Sequence, residues 1–216
     1  MRWLAWAGLS AAVAVATGPA ALEAQTCIGV PIGPGQFSIA GDVGFPEGAK
    51  TYSGIATGRI GSGVSLQARI DYLKADDAPP DVDDSVLVYG GQFAYVLAET
   101  DQFSVCPFLG ARYFSEEEPG IGEVSVLQIP IGAGIGLTLP FETVDISVFA
   151  TPQLLYSRGT MEILGVEVEE DSTDFGTELG GRLNLGLFYL GASVIVTSVE
   201  GSEAEVHIAA GFTLGR

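Results

Sequence analysis

Val64-Ser65-Leu66-Gln67-Ala68-Arg69-Ile70-Asp71-Tyr72 is the stretch on which the reading of this chain turns. Its residues alternate without a break. Val64, Leu66, Ala68, Ile70 and Tyr72 fall on one side, and Ser65, Gln67, Arg69 and Asp71 on the other. Successive side chains of a strand point to opposite faces, so this is a strand with one apolar and one polar face. The pattern returns downstream. Val144, Ile146, Val148 and Leu154 oppose Asp145, Ser147, Thr151 and Gln153; Leu179, Leu183 and Leu185 oppose Glu178, Arg182 and Asn184. Near the end, Val206, Ile208, Ala210, Phe212 and Leu214 oppose Glu205, His207, Gly211 and Thr213. A half-buried sheet in a soluble sandwich alternates in the same way, so this signal alone leaves two folds open.

The rest of the chain separates them. Ten candidate strands follow one another at 36–45, 50–59, 63–74, 85–98, 103–114, 124–138, 144–157, 175–186, 188–198 and 204–214, with no helical periodicity and no linker between them. Several reach the ~9–11 residues that a tilted strand needs to cross a bilayer, whereas strands of globular proteins average about 5–6. Their connections alternate in length. Gly61-Ser62-Gly63, Thr100-Asp101-Gln102, Pro140-Phe141-Glu142-Thr143 and Gly186-Leu187 are short. Between them stand acidic segments: Asp76 to Asp84, Glu116-Glu117-Glu118-Pro119, Glu167 to Asp174 and Glu200 to Glu203. With an even number of strands, all the short turns gather at one end and all the acidic segments at the other. Short periplasmic turns and longer outer loops are the rule for membrane barrels, and a sandwich has no reason to sort its loops.

Composition agrees. Mean hydropathy is positive, yet after the first residues no segment holds 18 consecutive apolar residues. Apolar residues spread over every second position of many strands give that combination. In hydrocarbon an open sheet edge leaves backbone groups without partners, so the sheet must close. An arginine facing lipid at the midplane costs about 2–4 kcal/mol. This assigns Arg69 and Arg182 to the lumen, with Asp71, Asp145, Glu178, Glu205 and His207 as their polar company. Tyr72, Phe103, Tyr113, Tyr156 and Phe188 stand near strand ends on the apolar face, where interfacial aromatic girdles belong. The expected fold is therefore all-β, a closed antiparallel up-and-down transmembrane β-barrel of about ten strands, with eight as the alternative.

The N-terminus carries an export pattern. Arg2 precedes the apolar run Leu4 to Ala16, Gly18 and Pro19 break it, and Ala21-Leu22-Glu23-Ala24 offers a cleavage site. This divides the chain into a signal peptide over 1–24, a periplasmic N-terminal segment over 25–35 and the barrel over 36–216. Together with the alternating strands and sorted loops, it makes the chain resemble the small outer-membrane barrels related to OmpA and OmpX. The resemblance spans essentially the whole exported part and rests on pattern, without a diagnostic motif. Such barrels end on an aromatic residue read by the assembly machinery; here Phe212 stands short of the terminus. What the resemblance implies is residence in the outer membrane of a Gram-negative-type bacterium. The implied partners are outer-membrane lipid, lipopolysaccharide and the barrel assembly machinery.

Two cysteines, Cys27 and Cys106, read in an exported protein as one disulfide. Cys106 shares a face with Ser104 and Arg112 and so points into the lumen. A bond to Cys27 would tuck the N-terminal segment into the periplasmic mouth; closing about 80 residues is worth about 4.5 kcal/mol in the loop-entropy model. Free thiols and a lipidated Cys27 are the alternatives.

Other chemistry finds little support. Net charge is −18, and since Arg2 and Glu23 cancel, the exported part keeps −18; such a chain repels nucleic acid. His207 is the single histidine, read as part of a polar lumen network and not as the base of a serine nucleophile. No catalytic set, cofactor or transition-metal site is expected. Asp81, Asp83 and Asp84 resemble a fragment of a calcium loop without its glycine or distal glutamate. The acidic loops are candidate ligands for divalent cations that bridge to lipopolysaccharide. Gly132, Gly134 and Gly136 lack nucleotide-loop spacing and read as lumen glycines that let a tyrosine or arginine pack against the wall. The functional readings are a structural or surface-interaction barrel and, as the alternative, a narrow porin-like channel. An envelope enzyme centred on His207 and a soluble sandwich follow behind.

Overall fold

The computed structural model describes residues 26–27, 30–61, 63–76, 85–100, 102–118, 122–163, 166–198 and 204–215. The export segment over 1–24 lies outside them. So do Asp81, Asp83 and Asp84, and the acidic stretch Glu200 to Glu203.

Ten strands form the wall: β1 (Phe37–Phe45), β2 (Ala49–Ile60), β3 (Val64–Ala75), β4 (Ser85–Tyr95), β5 (Phe103–Glu118), β6 (Gly122–Pro140), β7 (Asp145–Ile163), β8 (Val166–Leu185), β9 (Phe188–Thr197) and β10 (Glu205–Leu214). Each is antiparallel to its neighbour in sequence. The sheet closes where β10 returns to β1, with Val206 opposite Phe45 and Leu214 opposite Phe37. It is a closed, up-and-down, ten-stranded barrel. Gly61 and Gly186 take positive φ (58° and 67°) in two of the short turns, a conformation that costs glycine nothing.

The radial order of residues is inverted relative to a soluble protein. Among the described residues seven buried side chains are apolar, against fourteen that are polar or charged, including Asp42, Arg59, Asp71 and His207. Meanwhile Leu66, Ile70, Leu109, Ile131, Leu154, Leu179, Leu190 and Ile208 stand exposed around the outside. A soluble sandwich would bury that set. An apolar belt of this extent calls for an apolar solvent.

Aromatic residues bound the belt. Phe37, Tyr95, Phe103, Phe141, Phe188 and Phe212 ring the short-turn end; Phe45, Tyr52, Tyr72, Tyr89, Tyr113 and Phe175 ring the other, all exposed. From Phe103 to Tyr113 along β5 is ~33 Å at the usual rise, or about 25 Å of height at a tilt near 40°, the height of an outer-membrane apolar band.

One expectation is corrected. The segment from Glu167 to Asp174 is not a loop: β8 begins at Val166 and pairs with β7 over its whole length, Ile163 opposite Val166 and Arg158 opposite Asp171. Likewise Glu116–Glu118 end β5, opposite Val124–Gly122 of β6. The connections shrink to residues 164–165 and 119–121. Pairing with β7 along one edge holds this part of β8 extended, and the guanidinium of Arg158 binds the Glu169 carboxylate across the pair, so Glu169, Glu170 and Asp171 ride on an exposed ladder. β7 and β8 reach 19 and 20 residues, about twice a membrane crossing, and project past the upper girdle.

Candidate functional site

The lumen is built by the inward half of each strand. β1 contributes Ser38 and Asp42, β2 Ser53 and Thr57, β3 Gln67, Arg69 and Asp71, and β5 Cys106, Phe108 and Arg112; β8 gives Glu178 and Arg182, β9 Tyr189, and β10 Glu205 and His207. Alternation alone places them there.

Their charges knit into one network. Arg69 donates from Nη2 to Ser53 Oγ at 2.8 Å and approaches Asp42 Oδ1 at 3.5 Å, while its Nε binds Asp71 Oδ1. Arg112 donates from Nη2 to the other Asp71 oxygen at 2.7 Å. Asp71 is 1% exposed, so its two oxygens hold two guanidinium groups in a medium where charges need partners. Asp42 Oδ1 also lies 2.8 Å from His207 Nδ1, and Glu205 Oε1 lies 2.9 Å from His207 Nε2. Asp42 is hydrogen-bonded to Nδ1, and the Glu205 carboxylate stands beside Nε2. This geometry makes His207 a bridge between Asp42 and Glu205.

Of the residues expected in this network, Arg69, Asp71, Glu205 and His207 join it. Arg182 and Glu178 do not pair within it. The guanidinium of Arg182 lies over the Phe149 ring (5.5 Å) and the Tyr189 ring (5.0 Å). Asp145 sits apart at the short-turn end of β7, opposite Asn184. Sequence reading missed Asp42, the hub between Arg69 and His207. Its signal was weak: one acid on the inward face of the Gly/Ala-rich strand Ser38, Ala40, Asp42, Gly44. Arg112 was placed on the lumen face but not joined to Asp71.

Glycines make room for these groups. A Cβ on Gly44 would stand 2.6 Å from the His207 ring, one on Gly191 2.8 Å from Arg182 Cγ, and one on Gly211 2.6 Å from the Tyr189 ring. Gly132 faces Gln153 and the Pro152 carbonyl instead of a tyrosine or arginine.

The short-turn mouth is closed. Ile32, 1% exposed, packs among Ala40, Tyr189 and Ile55. Arg59 of β2 donates to the Ile32 carbonyl at 3.4 Å and grips Glu99 with Nη2 at 3.0 and 3.1 Å. Glu99 belongs to a short pair, Ala98–Glu99 with Ser104–Val105, in the connection before β5. The backbone of Thr26–Cys27 lies against β5, β6 and β7, while Ile32 lies on Ala40, Ile55 and Tyr189. Cys106 is fully buried and not free; the side chain of Cys27 lies outside the described residues.

Above this floor the lumen keeps a cavity of about 150 Å³. Arg69, Arg112, Arg182, Glu178 and a ring of glutamines (Gln67, Gln92, Gln128, Gln153) line it. Among the described residues no group of histidine, cysteine and carboxylates could hold a metal ion.

Fold and lumen together define the class: a small transmembrane-type β-barrel with a charged, filled interior. No protein-family model and no curated protein matches the sequence. Among solved structures the chain is similar to Ail, the attachment invasion locus protein of Yersinia pestis, at 14% identity over 84% of this chain and 99% of that one, TM-score 0.43. It is similar to the KdgM porin at 10% identity, over 82% of this chain and 99% of that one, TM-score 0.41. The N-terminal β-barrel domain of Pseudomonas aeruginosa OprF follows at 13% identity, over 85% of this chain and all of that domain, TM-score 0.33.

Proposed function

We propose that this chain is an outer-membrane barrel of the Gram-negative envelope that works through its surface and has no catalytic role. The observation that carries this is the closed floor: Ile32, Arg59 and Glu99 fill the mouth at the short-turn end, and side chains fill most of the lumen above. What the barrel offers to its surroundings is the projecting end of β5 to β8. Glu169, Glu170 and Asp171 are exposed there beside Val168. Such a sheet suits basic partners, or lipopolysaccharide bridged through divalent cations. Orientation follows from loop sorting, with the short turns in the periplasm. Outer-membrane lipid surrounds the belt, and the barrel assembly machinery inserts it.

The floor is held by a Cys27–Cys106 disulfide in this reading. The backbone of Thr26–Cys27 lying against β5, which carries Cys106, supports it. Conductance in planar bilayers tests the function. The membrane is expected to stay silent, with conductance opening after reduction or in Arg59→Ala. Steady single-channel currents from the oxidised protein would instead establish the narrow channel.

A further inference from the structure

Above the upper girdle the wall made by β5 to β8 exchanges its faces. Register fixes which residues look toward the barrel axis. Phe114 of β5 stands opposite Val126 of β6, Val126 opposite Gly159 of β7, Val124 opposite Met161, and Met161 opposite Val168 of β8. By alternation these positions continue the inward rows of Arg112, Gln128, Gln153 and Glu178, which line the cavity below. The side that is polar in the lumen is therefore apolar above it. The outward side changes the opposite way: past Ile131, Leu154 and Phe175 it carries Ser125, Thr160, Arg158, Glu169 and Asp171.

The lipid belt does not account for this apolar patch. Val168 lies ~23 Å along β8 beyond Phe175 of the girdle, and it faces the axis, away from the bilayer. The opposite wall stops near the girdle, since β1 ends at Phe45, β2 starts at Ala49 and β9 ends at Thr197. Met161 and Val168 are accordingly 38% and 52% exposed. Gly159 keeps the middle of the patch shallow: a Cβ there would meet first the Glu170 carbonyl at 3.8 Å and Val126 Cγ2 at 4.0 Å.

Charge on this inner side has one sign. Glu116, Glu170 and Asp174 share it, and none of them has an ion pair among the described residues, whereas Glu169 on the outward side holds Arg158. A second copy of the chain would set these acids against the same acids. Anionic lipid headgroups would meet the same repulsion. An apolar partner that carries cations satisfies both the patch and its acids. The face offers side chains and no open backbone, so the partner must satisfy its own backbone groups, as a helix does. A helix is ~10–12 Å across, and four strands present a face about 14 Å wide.

We propose that the inner face of the projecting sheet binds a cationic amphipathic helix, with its apolar stripe on Val126, Gly159, Met161 and Val168 and its Lys or Arg side chains toward Glu116, Glu170 and Asp174. The inference rests on the surface role proposed above and names the partner and the face.

The test uses the full exported chain in nanodiscs of zwitterionic lipid. The probe is a fluorescent peptide of about 14 residues, ~21 Å as a helix, built from leucine and lysine at amphipathic spacing. Anisotropy is read against empty nanodiscs. The peptide is expected to bind above that background and to weaken in salt, and its leucine–glutamate counterpart not to bind. Met161→Ser combined with Val168→Ser should weaken binding at least about tenfold, and Glu170→Gln about threefold or more. Glu167→Gln, the same charge change on the outward side of the same strand, should stay within about twofold. All three variants lie past the membrane belt and should keep the heat-dependent gel migration of a folded barrel. No binding above empty nanodiscs, equal binding of the glutamate peptide, or equal loss in Glu167→Gln and Glu170→Gln would overturn the proposal. So would a wild-type dimer in sedimentation that the Met161→Ser, Val168→Ser variant abolishes, because the face would then take a second copy. The two readings fail separately: steady currents overturn the surface role whatever the peptide does, and a silent membrane without peptide binding overturns this site alone.

Discussion

At the scale of single residues, stability rests on a few inward charges and on the glycines beside them. Asp71 neutralises two arginines, so Asp71→Ala takes the carboxylate from Arg112 and leaves Arg69 with Asp42 and Ser53. Both guanidinium groups are partly exposed, so the loss falls short of the ~3–5 kcal/mol of a fully buried pair, and urea unfolding from lipid vesicles should show a loss of about 1–3 kcal/mol. Asp145 has no ion pair among the described residues, so Asp145→Asn should change stability by less than about 1 kcal/mol. Glycines split in the same way. A Cβ on Gly132 would stand 2.3 Å from the Pro152 carbonyl oxygen, a backbone atom that cannot swing aside; Gly132→Ala should destabilise by about 1–3 kcal/mol. Gly54 has nothing within 4 Å of its would-be Cβ, and Gly54→Ala should be neutral or slightly stabilising. Outside the membrane belt, Arg158 holds the Glu169 carboxyl below its usual range by hydrogen bond and charge. Its folded pKa is depressed, so the cross-strand contact is present above the ordinary glutamate pKa of about 4.3 and is lost as pH falls through the lower folded value. Protection of the β7–β8 tip amides, taken relative to the intrinsic exchange rate at each pH, should fall on acidification, with global stability unmoved because both side chains are solvated.

Elements differ in how well the sequence announced them. β3 and β10 were readable because alternation sets Ser65, Gln67, Arg69 and Asp71 against Leu66, Ile70 and Tyr72, and Glu205 and His207 against Val206, Ile208 and Phe212. The tip of β8 was not, because Glu167, Glu169, Glu170 and Asp171 look like a solvated loop. What makes them strand is the partner, Thr160 and Met161 of β7 in register, and pairing across a hairpin has no signature within either strand. The same blindness hid Asp42: its importance lies in facing His207, 165 residues away, and in sharing Arg69 with Asp71. The floor was legible only as far as Cys27 and Cys106 suggested a tuck; Ile32, Arg59 and Glu99 meet through three separate segments. If the disulfide closes the floor, reduction should lower stability by about 4 kcal/mol. Cys106→Ser should do the same and become insensitive to reductant, as measured by unfolding with and without dithiothreitol.

For the molecule as a whole, the deciding feature is the inversion of polarity between lumen and exterior. Composition alone could not show it, because a positive hydropathy with no long apolar run fits any chain that puts apolar residues on alternate positions. Strand count and loop sorting turned that pattern into a barrel, and closure of β10 on β1 completes it. An exterior lined by Ile70, Leu109, Leu154, Leu179 and Ile208 is stable only in a lipid-like solvent. The central claim is best tested by electrophoresis of the membrane fraction with and without boiling. A closed barrel resists detergent, so the account predicts a band in the outer-membrane fraction that shifts its migration only after heating. A protein that runs the same either way, and is found soluble in the periplasm or medium, would mean that the apolar faces pack against each other, and would contradict the barrel.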